Sequence, residues 1–358
     1  MIRHPSRLLG LVSDGPLGSN AVIFRTEIAG SLPKPEWLVT PEKLWAGWRF
    51  EGQTLAEAKK DAVRLAVADQ LDAGLDIISD GEQTRQHFVT TFIEGLEGVD
   101  AENRATVQIR QRYDASVPRV IGEVGRSSPV FVEDAKHLRS LTDRPIKYQL
   151  PGPMTMADTL KDDFYRDRET LAMVFAEALN SEAKELAAAG VDVIQFDEPA
   201  FNVFLDEVSE WGVPALEKAV AGVGATTAVH ICYGYGVKAN IDWKHSLGRE
   251  WRQYEQNFPT LSESSIDQVS LEVAGSHVPL DVLDLLGDKG VLAGVIDVAT
   301  DRVETPDEVA ATITTIAARV GDERLYPSTN CGMVPLGRHV AVAKMQALGA
   351  GAVLARGG

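Results

Sequence analysis

Apolar and polar residues follow two periods along the chain. Between residues 54 and 73, Leu55, Ala58, Ala62, Leu65, Ala66 and Leu71 recur at helical spacing, and Gly74 follows where a helix C-cap is expected. A short apolar run, Leu75-Asp76-Ile77-Ile78, comes next and ends in Ser79-Asp80-Gly81-Glu82. The phrase returns later: Ala187-Ala188-Ala189, then Gly190, then Val191-Asp192-Val193-Ile194-Gln195-Phe196, then Asp197-Glu198. Helix, glycine, buried strand and terminal carboxylates, repeated, mark stacked β/α units. Core strands are read at 24–29, 75–80, 146–150, 192–197, 226–232, 267–272, 291–297 and 325–330, with helical patterns between most of them. Such a series predicts an α/β fold, a TIM (β/α)8 barrel, with its chemistry at the C-terminal strand ends. A doubly wound sheet is the alternative; it needs a glycine-rich phosphate loop after an early strand, and the sequence has none.

One stretch breaks the pattern. Val107-Gln108-Ile109-Arg110 and residues 117–124 alternate about Asp114-Ala115-Ser116, which predicts an inserted β-hairpin over about 104–125, turning at 114–116. Pro151-Gly152-Pro153 closes the strand at 146–150, and a long helix is expected from about 168 to 189. Trp37, Trp45 and Trp48 read as surface-core packing, residues 1–20 as a flexible leader, and 21–358 as one catalytic domain.

Composition narrows the classes of function. The chain has 358 residues and 44% hydrophobic content, enough for a large core. A net charge of -17 argues against a nucleic-acid partner. No apolar run approaches the roughly 18 residues of a membrane span. Two cysteines far apart, Cys232 and Cys331, suggest no disulfide framework and favour a reducing, cytoplasmic setting.

The candidate chemistry lies where strands end. His230 and Cys232 are two residues apart at a strand end, so their side chains face the same way. Imidazole nitrogen and thiolate sulfur suit Zn2+. Cys331 stands at another strand end, in Asn330-Cys331-Gly332, and Glu272 closes the strand Val269-Ser270-Leu271. These four would make a tetrahedral site with one hard, exchangeable ligand. The other strand ends offer Gly30-Ser31, Asp80 and Glu82, Asp197-Glu198 and Asp297. A single strand-end carboxylate is ordinarily a solvated cap; this many on one face favours a site.

Read together, these segments resemble the catalytic barrel of the cobalamin-independent methionine synthase family, in its short form without a preceding second barrel. The resemblance is carried by Ile28-Ala29-Gly30-Ser31-Leu32-Pro33, Asp80-Gly81-Glu82, Gly152-Pro153-Met154-Thr155, Ile194-Gln195-Phe196-Asp197-Glu198-Pro199-Ala200, His230-Ile231-Cys232-Tyr233 and Asn330-Cys331-Gly332. It implies methyl transfer to the thiol of L-homocysteine, with zinc on His230, Cys232, Glu272 and Cys331. It places homocysteine against Ala29, Gly30, Ser31, Glu82 and Asp197, the two carboxylates receiving the ammonium. On the donor side the chain departs from the family. Thr159 stands at the position of a pterin-stacking tryptophan, Val203 at that of a glutamate and Ala299 at that of a proton-donating histidine. The acceptor half is thus intact while the donor stays open: methyltetrahydrofolate, with or without an accessory protein that delivers the methyl group, or a methylcorrinoid. His277, five residues past Glu272, is the nearest substitute acid by sequence. Two other readings compete: a related barrel that alkylates another thiol or resembles uroporphyrinogen decarboxylase, and a non-catalytic zinc scaffold.

Overall fold

The computed structural model describes residues 22–40 and 47–357; the leader read at 1–20, and Trp45, lie outside them. The described residues form strands β1 (Glu97–Ile109), β2 (Tyr113–Gly125), β3 (Lys147–Pro151), β4 (Lys161–Asp162), β5 (Val193–Asp197), β6 (Thr226–His230), β7 (Gln268–Glu272), β8 (Gly290–Ile296) and β9 (Leu325–Thr329). One parallel sheet runs β3-β5-β6-β7-β8-β9. Helices Arg168–Ala188, Val213–Val220, Tyr254–Glu263 and Pro306–Val320 cross between its strands, and Arg338–Ala355 follows the last. Every residue of β3, β5 and β7 is buried. Cover on both faces suits the continuous apolar run of β8, whereas β3 and β7 alternate apolar residues with buried polar ones such as Lys147, Gln149, Gln268 and Ser270. The helices expected at 54–73 and 168–189 are Gly52–Asp72 and Arg168–Ala188. The second starts at Asp167, whose carboxylate accepts the Thr170 N–H at 2.8 Å. No helix among the described residues is long and apolar enough to cross a membrane.

Two of the expected strands, at 24–29 and 75–80, form no regular ladder. A side chain takes the place of ladder bonds: the Thr26 N–H and hydroxyl both donate to the Asp76 carboxylate at 2.9 Å. Backbone bonds still tie these segments to the sheet. Glu27 N–H donates to the Pro327 carbonyl at 3.2 Å, Ile77 N–H to Thr26 at 3.0 Å, and Lys147 N–H to Ile78 at 2.8 Å. The edge strands β3 and β9 are thereby linked through the two segments.

The hairpin is real, but longer and turned elsewhere than expected. Strands β1 and β2 pair from Glu97 to Gly125, and Asp114, Ala115 and Ser116 lie inside the ladder opposite Gln108, Val107 and Thr106. The turn is at Arg110 and Gln111, both left-handed (φ 47 and 56). Consecutive positive φ values are what a tight hairpin turn requires to match strand twist. The sequence concealed it because neither residue is Gly, Asn or Asp. Trp48 packs beside Leu38, Val39 and Ala62, whereas Trp37 is exposed.

Buried charge also ties the segment at 24–29 to the sheet. Lys147 on β3 lies 3.0 Å from the Glu27 carboxylate and donates to Gln195 Oε1 on β5 at 2.9 Å. Both ionic side chains are 1% exposed, and the ion pair is the only polar contact of the Glu27 carboxylate among the described residues. Lys147→Met should therefore destabilise the protein by about 3–5 kcal/mol, because it strands a buried carboxylate. Adding Glu27→Gln should recover most of that loss. Chemical denaturation of wild type, single and double variants checks it; a fully stable single variant would refute the interaction.

Candidate active site

The end of β6 and the turn after it position His230 and Cys232. Ile231 between them is fully buried in the core, so both neighbours face the opposite side, toward the cleft. Ser270 on β7 holds both backbone and ring: its hydroxyl accepts the Ile231 N–H at 2.9 Å and lies 2.9 Å from His230 Nδ1. With the proton on Nδ1, Nε2 presents a free lone pair; that atom is buried and has no hydrogen-bond partner among the described residues. Cys331 arrives from the end of β9, where the Thr329 hydroxyl ties the turn by donating to the Cys331 carbonyl at 2.9 Å. Its thiol donates to Cys232 Sγ at 3.3 Å. Ligand atoms of His230, Cys232 and Cys331 all lie within 4.8 Å of one another.

The electrostatics of this cluster are polarised. The hydrogen bond from Cys331, helped by His230, lowers Cys232 well below the usual thiol range, and the same bond raises Cys331. Burial works to depress His230, and the charge of Cys232 overrides it, holding the imidazole above its ordinary value. One sulfur is thus set up as a thiolate beside an imidazole, which is the chemistry of a soft-metal site.

Glu272 does not join the three. Its Oε1 accepts the Tyr233 N–H at 2.7 Å and its Oε2 accepts Lys244 Nζ at 2.9 Å, both oxygens occupied in a buried setting. The expected four-residue group is therefore three residues plus a neighbouring carboxylate held by a lysine. Nothing in the sequence pointed to Lys244, which comes from the short helix Lys238–Ser246 in the connection after β6.

A cleft enclosing about 430 Å³ opens onto the cluster, lined among others by Ala29, Ser31, Glu82, Arg110, Asp197 and Tyr235. Gly30 lies just behind; a Cβ there would press on Gln149 and Glu82 at 3.0 Å. Gly332 allows the loop at 30–31 to close over Cys331, since a Cβ at Gly332 would stand 1.9 Å from Ser31 Oγ. Burial raises Glu82, and burial pushes Asp197 up to about 7, although Gln195 donates to its Oδ1 at 2.7 Å. Two buried carboxylates facing one cleft suit a cationic group that would restore their charge balance.

His277 is not part of this arrangement. The chain turns at Gly275 (φ 63), and His277 is exposed, its ring 5.3 Å from that of Trp251. Sequence proximity to Glu272 was misleading because the loop leads outward. Arg110 is the opposite case. It reaches the cleft from the hairpin, and the misplaced turn hid it.

Fold and site together define an α/β protein with a polar cleft and a His/Cys/Cys cluster at the ends of parallel strands. A family model of the cobalamin-independent synthase catalytic domain matches residues 24–352. A methionine synthase of Saccharolobus solfataricus is 31% identical over 94% of this chain and 96% of its own length. A B12-independent methionine synthase from Shewanella sp. W3-18-1, solved in complex with selenomethionine, is 60% identical with a TM-score of 0.92, covering 94% of this chain and 98% of that one. A methyltransferase from Methanosarcina mazei, 14% identical, shares the fold at a TM-score of 0.59, over 93% of this chain and 94% of that one. The chain belongs to the cobalamin-independent methionine synthase family and is a methyltransferase.

Proposed function

We propose that the chain transfers a methyl group to the thiol of L-homocysteine, giving methionine, at a zinc ion held by His230, Cys232, Cys331 and Glu272. The observation that carries this reading is the meeting of an unpartnered His230 Nε2 and two sulfurs in the same cleft as Glu82 and Asp197. The donor set fits zinc, and when bound the metal would keep a substrate thiol deprotonated near neutral pH. Glu272 is the ligand most readily released, because its two oxygens already accept from the Tyr233 N–H and Lys244 Nζ. Asp197 and Glu82 take the substrate ammonium; the Ser31 hydroxyl and the loop at 29–31 face its carboxylate. The selenomethionine bound by the Shewanella relative, a selenium analogue of the product, supports this use of the cleft. Two free cysteines serving as ligands accord with a cytoplasmic setting. We read 21–358 as one closed (β/α)8 barrel, supported by the bonds that link β3 to β9 through 75–80 and 24–29.

The donor side is built differently. The Thr159 hydroxyl is turned into the backbone, donating to the Thr155 carbonyl at 2.7 Å, and Ala299 lies against Gly236. Neither these residues nor Val203 brings an acid to the cleft. The methyl donor in this reading leaves without a proton, as from a methylcorrinoid, or arrives with an accessory protein that supplies what a pterin needs.

Cys331→Ser should lose most bound zinc, while Glu272→Gln keeps the larger share, as elemental analysis will read; stoichiometric zinc in Cys331→Ser would remove the site. Homocysteine affinity should rise with pH up to about 7, where Asp197 becomes ionised and able to receive an ammonium. Below that value each pH unit should weaken binding by about tenfold. The substrate thiol adds a slope of its own, so the Asp197 part is the difference between wild type and Asp197→Asn in calorimetry; identical profiles would exclude the role. Purified zinc-loaded protein, given homocysteine, should turn over methyltetrahydrofolate poorly, with or without a polyglutamate tail, and accept methyl from methylcobalamin or with an added partner. Fast multiple turnover on methyltetrahydrofolate alone would reject the donor assignment and leave the acceptor assignment standing.

A further inference from the structure

The tip of the hairpin carries two arginines that the proposed reaction leaves unused. Arg110 is 6% exposed and lines the cleft together with Ser31, Asp197 and Cys232. Its Nη2 donates to the Tyr113 hydroxyl at 3.0 Å, while its Nη1 is buried with no hydrogen-bond partner among the described residues. Asp158, the carboxylate bonded to this residue, accepts the Arg110 backbone N–H at 3.0 Å. Arg112 lies behind it. There Nη1 donates to the Tyr233 carbonyl and Asn240 Oδ1, the guanidinium stacks 3.4 Å from the Trp243 ring centroid, and Nε and Nη2 have no partner. Burial, with the like charge of Arg110 added, pushes Arg112 down to about 9.

The Asp158 carboxylate and the Cys232 sulfur favour the charge on Arg110, yet neither accepts a bond from its guanidinium, and a second buried guanidinium stands beside it. The hydrogen bond to the Tyr113 phenol leaves Nη1 unused. The hairpin nevertheless fixes Arg110 in a left-handed backbone that few non-glycine residues adopt (φ 47), which aims the side chain into the cleft. A planar fork of donors with a free nitrogen is the geometry that receives a carboxylate. The acceptor for the free Nη1 is therefore expected on a ligand.

We propose that Arg110 is an oxyanion receptor that takes a carboxylate of a molecule bound in the cleft. The inference rests on reading the cleft as the site of thiol methylation. Two molecules of that reaction can carry the carboxylate: homocysteine, through its α-carboxylate, and a pterin donor, through its glutamate tail. Arg112 holds the turn against Tyr233 and the helix Lys238–Ser246, and keeps Arg110 aimed.

Zinc-loaded wild type, Arg110→Met and Arg110→Lys test it. Without ligand, Arg110→Met should melt at or above the wild-type temperature, because Nη1 braces nothing and the repulsion between Arg110 and Arg112 is gone. A clearly lower melting temperature, restored in Arg110→Lys, would make the guanidinium a structural brace and overturn the proposal. Calorimetry then compares L-homocysteine with 3-aminopropane-1-thiol, which lacks the carboxylate. Arg110→Met should lose about 10- to 100-fold on homocysteine and little on the amine thiol. If homocysteine is unaffected, the same selective loss for methyltetrahydrofolate against 5-methyltetrahydropterin assigns the subsite to the donor. No carboxylate-selective loss in either pair overturns the proposal. Failure of wild type to bind either thiol counts against the thiol reading instead, and the ligand-free melting temperatures still decide the role of Arg110.

Discussion

The cleft depends on one contact, the Cys331 thiol donating to Cys232 at 3.3 Å. In the sheet, β7 and β8 stand between the strands that lead to these two residues. At roughly 4.8 Å per strand, a flat sheet would hold the ends of β6 and β9 about 14 Å apart. The contact therefore requires a sheet that curls strongly, so that strand ends lean over a common axis. That curl also gathers Ser31, Glu82 and Asp197 around the sulfurs. The position of every group in the site is a consequence of it.

Once brought together in a buried space, these groups cannot keep their ordinary protonation. Burial raises Glu82, Asp197 and Glu272, so negative charge in the ligand-free cleft is held in check. The two sulfurs share a proton unequally, with Cys232 giving up its own first. A divalent cation at the sulfurs and an ammonium at the carboxylates would each relieve an electrostatic strain that the fold imposes. Lys244 has the complementary place at Glu272, where its charge works against the burial that raises that carboxylate.

What the sequence disclosed follows from how local each feature is. Among the parallel strands β8 was the plainest to read, because burial on both faces leaves an unbroken apolar run, Val291 to Ile296, ended by Asp297. The His230/Cys232 pair was legible because strand period alone aligns the two side chains. The segment at 24–29 was misjudged as a regular strand because Asp76, fifty residues on, takes the bonds a ladder would have used. The turn at Arg110 and Gln111 was missed because its left-handed residues are not the usual ones, while Asp114-Ala115-Ser116 offered a false turn. Lys244 and the outward path of His277 depend on loop geometry, for which the sequence has no periodic signal.

The same division separates the two halves of the reaction. In the proposed reading the acceptor groups sit at or beside strand ends, where the curl of the sheet fixes them, and the donor-facing groups on connections, where the backbone is free to vary. Here the hairpin tip and the connection after β6 have come together through Arg112, which bonds Tyr233 and Asn240 and stacks on Trp243. They form a wall of the cleft that no strand supplies, and it bears positive charge where the other walls bear carboxylates. Under the proposed reading, that charge serves to place an anionic ligand, through guanidinium nitrogens that have no partner among the described residues.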